Sequence, residues 1–342
     1  MTEAPHRLRL DGAALAANWR ALDAMSGSAA CGAAVKADGY GLGARGVAAR
    51  LLKAGCRDFF VSTWAEAQAL ADLDAAVSVL HGVRAEDMAS ERPGNARPVL
   101  NTAAQVMRWR ETGLPCDVMV DTGMNRLGVS AAEVAEGLLD GLRIETLMSH
   151  LACADEAVPM NARQRDALEG LRGRTSAKRL SLANSAGIAL GSDYAFDLTR
   201  PGLSLYGGVQ AAGLSMIRQV VTPEAQILQR RRVPAGGTIG YNATFTAPAD
   251  MEVAVINLGY ADGYLRCFEA GGTARADGIE LPLLGRISMD LIAVGVDAAP
   301  GLSEGDWIAL DYALPTLSAK TGKSQYEMLT GLGPRFDRVW HG

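Results

Sequence analysis

A single lysine stands where a short apolar run meets a glycine-rich loop, in the segment AAVKADGYGLG at residues 33–43. Burial at such a junction removes water from the amine of Lys36 and makes its neutral form more populated. A neutral amine attacks an aldehyde to form a Schiff base. The glycines permit left-handed backbone and close approach of a ligand, and Tyr40 adds a hydroxyl group nearby. A lysine in this position is also commonly a surface residue whose aliphatic stem lies along apolar neighbours. The other polar residues of the chain must therefore distinguish a functional lysine from a surface lysine.

Further polar residues follow other short apolar runs, at positions 121–126, 149–150, 184–185 and 200–202. Each set has an ordinary explanation by itself: a turn, a core histidine, a helix cap and a solvated arginine. If the runs are parallel strands of one barrel, all four sets lie at the carboxyl ends of the strands, where barrel enzymes place their chemistry. Their occurrence at one end favours a functional site over four unrelated structural roles.

The elements that would position these residues alternate along the first two-thirds of the chain. Eight short apolar runs lie around residues 33–36, 59–62, 77–80, 98–100, 118–121, 145–150, 180–183 and 196–199. Helical apolar spacing occurs between most of them, at 44–53, 64–73, 102–111, 131–139 and 162–171, whereas 83–97 is poorly marked. This alternation predicts an α/β fold that begins with a (β/α)8 barrel over residues 1–217.

The pattern changes after residue 217. Apolar strand-like runs at 220–221, 225–228, 251–258, 279–284, 291–296 and 307–310 are separated by glycine and proline. Such punctuation is typical of turns between strands. We expect a C-terminal all-β domain over residues 218–342, with no helix before residues 324–329.

The bulk composition excludes several classes of protein. The chain has 342 residues, 49% of them hydrophobic, and a well-mixed net charge of −5 with no basic stripe, which argues against nucleic-acid binding. Its five cysteines are dispersed and its four histidines lack metal-ligand spacing, so we expect reduced thiols, a cytoplasmic location and no metal site. The N-terminal residues lead into no apolar signal segment, and no run is long enough to span a bilayer, so we expect no membrane association.

The same geometry accommodates a phosphate group. In barrels of this kind the loops after strands seven and eight commonly hold phosphate. Ser185 offers a hydroxyl group, Gly202 exposes its backbone N–H, and Tyr40 closes the shell from the first loop. Helix N-termini add a favourable dipole for a dianion.

Several motifs now agree, and together they resemble the signatures of the alanine racemase family. They occur in the family's order over nearly the whole chain, at residues 35–43, 121–128, 149–156, 184–185, 200–208, 240–245, 259–264 and 285–290. The resemblance implies a barrel followed by a β-domain, a homodimer, and pyridoxal phosphate carried on Lys36. It also implies cofactor contacts from Tyr40, Arg126, His150, Asn184, Ser185, Arg200 and Gly202.

The resemblance further implies a catalytic pair. Lys36 would act on one face of the cofactor and Tyr241, contributed by the partner subunit, on the other. Both residue types have high reference pKa values, so both must be perturbed or paired to act near neutrality. His150 would hydrogen bond within a network that includes Tyr241 and Arg200. Arg200 would face the pyridine nitrogen, where a guanidinium donates a hydrogen bond but hardly releases a proton.

The substrate site is likewise implied by the resemblance. Arg126 would contact the phenolic oxygen of the cofactor and the substrate carboxylate. Met289 would contact substrate from the partner subunit, and Tyr260 and Asp290 would line the access passage. A narrow passage beside a methionine favours small side chains, alanine first.

Three positions depart from the family pattern. Leu42 replaces a common histidine. Met119 stands where many members carry a carbamylated lysine that braces Arg126, and a thioether can form neither a carbamate nor a salt bridge. Asn125 or a bound anion is then expected to hold Arg126. A C-terminal tyrosine that some members use on the phosphate has no clear counterpart, because Pro334 occupies that part of the chain.

These observations predict a homodimeric enzyme that interconverts L- and D-alanine and supplies D-alanine for peptidoglycan precursors. A racemase for serine or other small amino acids is one alternative. A decarboxylase of the same architecture is another, but it would place an acidic group where Arg200 stands. A non-catalytic carrier of pyridoxal phosphate would match only the first part of the chain, so the segment with Tyr241 and Met289 argues against it.

Overall fold

The computed structural model describes residues 4–342, so the first three residues of the N-terminal segment considered above lie outside it. Two compact units are present. One comprises Leu15–Arg218, and the other comprises residues 4–14 together with Gln219–Gly342. The expected barrel boundaries of 1–217 therefore need correction at the N-terminus. The first strand, His6–Asp11, pairs with two strands of the C-terminal unit because its alternating apolar residues complete that unit's sheet.

The strands, numbered along the chain, are β1 (His6–Asp11), β2 (Ala30–Cys31), β3 (Ala33–Ala34), β4 (Asp58–Val61), β5 (Ala76–Val79), β6 (Ala96–Leu100), β7 (Pro115–Met119), β8 (Arg143–Met148), β9 (Arg179–Ser181), β10 (Leu198–Thr199), β11 (Val221–Val233), β12 (Thr238–Ile239), β13 (Phe245–Thr246), β14 (Met251–Ile256), β15 (Thr273–Ala276), β16 (Ile279–Leu284), β17 (Ile292–Gly295), β18 (Trp307–Leu310) and β19 (Asp337–His341).

The helices are α1 (Gly12–Met25), α2 (Lys36–Tyr40), α3 (Ala44–Ala54), α4 (Trp64–Gln68), α5 (Ala85–Met88), α6 (Ala103–Arg110), α7 (Ala131–Ala135), α8 (Pro159–Glu169), α9 (Ser185–Ala189), α10 (Leu314–Thr321) and α11 (Gln325–Thr330). Short 3₁₀ turns lie at Ser192–Tyr194, Leu203–Tyr206, Ala212–Leu214, Tyr241–Ala243, Tyr260–Asp262 and Arg266–Ala270. No helix within residues 4–342 combines the length and the apolar character that crossing a membrane requires.

The Leu15–Arg218 unit is a parallel barrel, which confirms the predicted fold class. Seven parallel strands run in the order β3-β4-β5-β6-β7-β8-β9. The eighth, β10, closes the ring through backbone hydrogen bonds on both sides: Arg200 N–H donates to Ala183 at 2.8 Å, and Gly32 N–H donates to Thr199 at 2.9 Å. The poorly marked segment 83–97 contains the single-turn helix α5 and the first two residues of β6. All eight apolar runs of the sequence supply strands because a strand buried on both faces is apolar throughout.

The other unit is built around an antiparallel sheet that closes on itself. Its order is β14-β17-β16-β15-β18-β11-β1-β19, and β14 also pairs with β11. The long strand β11 contacts β1 and β18 with its first half and β14 with its second, across a register shift between Ile227 and Gln229. The expectation of no helix before residues 324–329 is wrong, because α10 begins at Leu314. Pro315 in its first turn obscured this helix, although proline is tolerated there because the first N–H groups lack partners anyway.

A buried ionic cluster lies inside the barrel near the amino ends of the strands. Asp117 is fully buried and accepts from Arg97 Nε at 2.8 Å and from Ser78 Oγ at 2.6 Å. Arg179 binds Asp58 with both terminal nitrogens, at 2.7 and 3.1 Å. These residues fill the end of the barrel opposite the carboxyl ends of the strands, so they contribute to stability rather than to chemistry.

Removal of the buried charge tests this assignment. We expect Asp117→Asn to lower the free energy of unfolding by about 3–5 kcal/mol, because it removes the fully buried carboxylate that binds Arg97 and leaves Arg97 only its longer contact with Asp58, at 3.9 Å. The measurement is the urea midpoint followed by far-ultraviolet circular dichroism. The matched control is Asp72→Asn, which breaks the exposed ion pair with Arg45 and should leave the midpoint unchanged. Equal midpoints for the two variants would contradict the assignment.

Candidate active site

Lys36 lies two residues after the end of β3, at the carboxyl end of the barrel, and precedes a left-handed turn. The next five residues, 37–41, all have positive φ, including Ala37 at 53°, Asp38 at 51° and Tyr40 at 55°. For residues other than glycine this conformation costs about 1–2 kcal/mol each. Surrounding contacts must therefore hold the turn, and a strained segment next to a reactive group is typical of functional sites.

Hydrogen bonds secure this left-handed turn at both ends. At its start, Ala37 N–H donates to Glu66 Oε1 at 2.8 Å, and at its end Ala44 N–H donates to Asp38 Oδ1 at 2.8 Å. Within the turn Gly39 N–H donates to Val35 O at 2.8 Å. Sequence reasoning missed Glu66, although Thr63 and Glu66 form the capping-box pattern that begins α4.

Burial and three charged side chains act on the pKa of the Lys36 amine. Burial is the main cause that lowers the pKa of Lys36, and the guanidinium groups of Arg126 and Arg200 lower it further. The carboxylate of Glu66 opposes them and raises the pKa. The lowered pKa makes the neutral amine more populated than in an exposed lysine, and the neutral amine is the form that attacks an aldehyde.

Arg200 is buried directly after β10 and is held by oxygen atoms. Its Nη1 donates to Ser181 Oγ, and its Nη2 donates to Ser149 O at 2.5 Å. Burial lowers the pKa of Arg200 to about 10. The guanidinium therefore remains protonated at neutral pH and presents a fixed set of hydrogen-bond donors at the rim.

His150 follows β8 and faces the same cations. Burial lowers the pKa of His150 to about 3, with further contributions from Arg200, Arg126 and Lys36. The imidazole is consequently neutral near pH 7. Its backbone carbonyl accepts from Gln164 Nε2 at 2.9 Å, so α8 fixes the loop that carries it. Sequence reasoning missed Gln164, which is fully buried on α8; a lone glutamine in a helix gives no signal by itself.

A small polar cradle lies after β9 and β10. Ser185 Oγ accepts from the N–H groups of Gly202 at 3.0 Å and Ser204 at 3.2 Å. A Cβ atom on Gly202 would lie 2.2 Å from the hydroxyl oxygen of Tyr40, so only glycine fits. Ser204 Oγ is buried without a hydrogen-bond partner among the described residues. Clustered N–H and hydroxyl groups of this kind suit a phosphate dianion.

Asn184, beside the cradle, caps a helix. Its side chain caps α9 by accepting from Gly187 N–H at 2.8 Å. Tyr40 stacks on Tyr206 with ring centroids 4.6 Å apart, and Tyr206 donates to Ala34 O at 2.8 Å. Residues from the first, seventh and eighth β/α units thus meet around the cradle.

The loop after β7 carries Arg126 and is shaped by Asp121. The Asp121 carboxylate accepts from the N–H groups of residues 123 and 124 at 2.8 and 2.9 Å. Gly128 has a φ of 129° and its missing Cβ would lie 2.5 Å from Asp121 N, so glycine is required. Arg126 and Asn125 are exposed, whereas Met119 is buried. The expectation that Asn125 or an anion braces Arg126 stays a prediction.

Leu42 and Pro334 are the other two positions that depart from the family pattern. Leu42 is fully buried. Pro334 lies exposed between α11 and β19.

In the other unit, the two motifs predicted to reach a partner subunit, those of Tyr241 and Met289, lie close together. A Cβ atom on Gly285 would lie 2.6 Å from Ile239 O, which brings the 285–290 segment against the residues preceding Tyr241. Tyr241 is 68% exposed and Met289 is 53% exposed. A groove of about 420 Å³ beside Tyr241 is also lined by Arg286 and by the exposed Leu291.

Tyr260 lies on a turn that packs against the Met289 segment. Tyr260 N–H donates to Ser288 O at 3.1 Å, and Gly259 approaches so closely that a Cβ there would lie 2.3 Å from Met289 O. Arg335 joins the two segments, since it binds Asp262 Oδ1 at 2.7 Å and Asp290 Oδ1 at 2.9 Å. Tyr260, Met289 and Asp290 therefore form one rigid cluster.

Known proteins resemble this chain over its whole length. Residues 10–210 match the family model described as "Alanine racemase, N-terminal domain", and residues 220–340 match "Alanine racemase, C-terminal domain". The chain is 40% identical to the alanine racemase of Acidiphilium cryptum over 349 aligned residues, covering 97% of this chain and 98% of that protein. It is also 40% identical to a protein of Mesorhizobium japonicum named "Alanine racemase, catabolic", covering 98% of this chain and 93% of that protein.

Among solved structures, the chain resembles the alanine racemase of Bartonella henselae, described with covalently bound pyridoxal phosphate. The TM-score is 0.87 at 35% identity, and the match covers 99% of this chain and 100% of that chain.

The electrostatics of Lys36 can be tested by labelling the amine, with any bound aldehyde removed. We expect Lys36 to react with an acylating reagent at lower pH than the exposed Lys53, because its lowered pKa leaves more neutral amine. Arg126→Met should move the Lys36 profile to higher pH, since it removes a cation that lowers this pKa. Mass spectrometry of labelled peptides gives both profiles. The control is Arg174→Met at an exposed position; an equal shift in both variants would contradict a local effect of Arg126.

Proposed function

This chain belongs to the alanine racemase family, a family of pyridoxal-phosphate-dependent enzymes, and we propose that it interconverts L- and D-alanine by proton transfer on opposite faces of the cofactor. The observation that carries the proposal is the desolvated Lys36 amine in the same barrel rim as the Ser185–Gly202 cradle. One group supplies the amine that an aldehyde cofactor requires, and the other suits its phosphate.

The residues present fit pyridoxal phosphate. The cradle of Ser185, Gly202 and Tyr40 would hold the phosphate, and Ser204 Oγ, which has no hydrogen-bond partner within residues 4–342, would give a further polar contact. When bound, the cofactor supplies an aldehyde for Lys36 and an electron-withdrawing ring that stabilises negative charge on the substrate Cα. Asn184 positions the cradle by capping α9.

Lys36 and Tyr241 are the two proposed bases. Lys36 Nζ takes or returns the Cα proton on one face, and Tyr241 Oη returns or takes it on the other. The exposure of Tyr241 supports a site completed by a second copy of the chain, because a large aromatic side chain 68% exposed beside other apolar residues is typical of an interface. We therefore propose a homodimer in which Tyr241 and Met289 serve the partner's barrel.

Arg200 determines the reaction type in this proposal. Its pKa of about 10 means that it keeps its proton at neutral pH and would donate only a hydrogen bond to the pyridine nitrogen of the bound cofactor. Arg200 would thereby leave that nitrogen unprotonated and limit the electron withdrawal that the cofactor supplies, which favours return of the proton to Cα. This separates a racemase from a decarboxylase, for which an acidic group is expected at the same place. His150, neutral because of its low pKa, contributes hydrogen bonds rather than charge.

Arg126 and the access cluster determine the substrate. The exposed Arg126 guanidinium would bind the substrate carboxylate, and Tyr260, Met289 and Asp290 would restrict the passage to small side chains. We propose alanine as the main substrate and D-alanine supply for peptidoglycan as the role. A catabolic role is the second candidate, since the Mesorhizobium relative carries that name. A cytoplasmic location is consistent with five free cysteines.

The cofactor lysine is tested by absorption and product analysis. We expect wild-type protein with pyridoxal phosphate to show the visible band of a lysine adduct and to form D-alanine from L-alanine. Lys36→Ala should lose both, because it removes the amine. Chiral chromatography of alanine and serine incubations also measures substrate breadth. A colourless wild-type protein would contradict the cofactor assignment, and a coloured protein inactive on both amino acids would contradict the reaction.

Mixed dimers test the shared site. Lys36→Ala and Tyr241→Phe should each be inactive alone. If Tyr241 acts in the partner's barrel, refolding equal amounts together restores about a quarter of wild-type activity, because half of the dimers are mixed and each has one complete site. Lys36→Ala refolded with wild type controls for recovery of active protein, because it should give half of wild-type activity whether or not the subunits exchange, and native mass spectrometry confirms that mixed dimers have formed. If both bases came from one chain, the two inactive variants would give no activity.

A further inference from the structure

Glu66 makes contacts that a helix cap alone does not require. Its Oε2 accepts from Thr63 N–H at 3.2 Å, which is the ordinary capping-box bond, and also from Ser62 N–H at 2.6 Å. Its Oε1 contacts the loop that follows β3, where it accepts a hydrogen bond from Ala37 N–H at 2.8 Å. One half-buried carboxylate thus holds three backbone donors from two neighbouring β/α units.

The Ala37 contact acts directly on Lys36. The peptide group that joins the two residues determines the direction in which the Lys36 side chain leaves the backbone. Its N–H begins a left-handed turn and has no partner inside that turn, because the first N–H of any helical turn precedes the repeating hydrogen bonds. Glu66 supplies this partner and thereby stabilises the strained conformation.

The charge of Glu66 acts on the same amine. The charged or titratable groups that face Lys36 come from several loops: Arg126 after β7, His150 after β8, Arg200 after β10, and Glu66 on α4. His150 is neutral and the two arginines are cations, so Glu66 is the anion among these groups.

We propose that Glu66 is a positioning residue for Lys36, which fixes the peptide group after the lysine and offsets the positive charge around its amine. This inference rests on the proposed function, in which Lys36 carries pyridoxal phosphate.

Glu66→Gln tests the inference, and Glu133→Gln is its matched control. The capping box of α7 repeats the local geometry: Ser130 Oγ accepts from Glu133 N–H at 3.2 Å, and Glu133 Oε2 accepts from Ser130 N–H at 2.7 Å. No hydrogen bond found for the Glu133 side chain within residues 4–342 reaches beyond Ser130. The two variants therefore neutralise the same type of cap and leave it one acceptor oxygen, and only Glu66→Gln also alters the Lys36 turn, because its carboxylate uses both oxygens.

Three measurements are made on each protein: the dissociation constant for pyridoxal phosphate with cofactor-free enzyme, the pH profile of the rate of adduct formation, and the thermal midpoint. In Glu66→Gln we expect about ten- to a hundredfold weaker cofactor binding, since a hydrogen bond to a charged group is lost. Its rate profile should move to lower pH, because losing the anion leaves only cations near the amine. Glu133→Gln should keep the wild-type affinity and profile while losing a similar amount of thermal stability.

The outcomes separate the two proposals. Wild-type affinity and profile in Glu66→Gln, or equal changes in Glu133→Gln, would overturn the role of Glu66. If Glu66→Gln does not fold, Glu66→Asp takes its place: the shorter side chain keeps the charge but loses reach, so we expect weaker binding with an unshifted profile, and wild-type affinity would overturn the positioning role. If wild-type protein forms no adduct beyond the level of Lys36→Ala, the proposed function itself fails.

Discussion

The left-handed turn after Lys36 is the constraint on which the rest of the barrel unit depends. A lysine that serves as a reactive amine must be neutral and must point toward its target. An extended or right-handed continuation of β3 would place residues 37–41 differently. The chain accepts three left-handed residues other than glycine at positions 37, 38 and 40. Each is unfavourable, so the turn persists only because Glu66 and Asp38 hold its two ends. Strain at this position is thus balanced by polar contacts made elsewhere in the barrel.

The second organising feature is the concentration of positive charge at the carboxyl end of the barrel. Arg200 is bound there by neutral oxygen atoms of Ser149 and Ser181 rather than by a carboxylate. Its charge is therefore not cancelled locally, and it lowers the pKa of both Lys36 and His150. The carboxylates of the buried ionic cluster, Asp58 and Asp117, lie near the amino ends of the barrel strands. There they neutralise Arg97 and Arg179. This separation gives the barrel one end devoted to stability and one end suited to an anionic cofactor and substrate.

The β-sheet unit illustrates a different principle. Tyr241 and Met289, the two residues proposed to serve a partner's barrel, are exposed, although most of the unit's large apolar residues are buried. They stand on a rigid base, since the Gly259 and Gly285 contacts and the Arg335 ion pairs tie the three motif segments together. Rigid loops that present exposed apolar side chains are typical of surfaces prepared for a partner.

The amino-acid sequence by itself determined the fold class and the approximate position of all eight barrel strands, because buried parallel strands read as short apolar runs. It also identified Lys36, Ser185 and Arg200 as residues that follow strands, since loop residues after strands share one end of a barrel. Only the tertiary structure decided that β1 belongs to the C-terminal unit, because its pairing with β11 and β19 joins residues more than two hundred positions apart. Likewise, Glu66 and Gln164 carry ordinary helix signals in the sequence. Their roles depend on hydrogen bonds to loops of neighbouring β/α units, and such contacts follow from packing rather than from any local pattern.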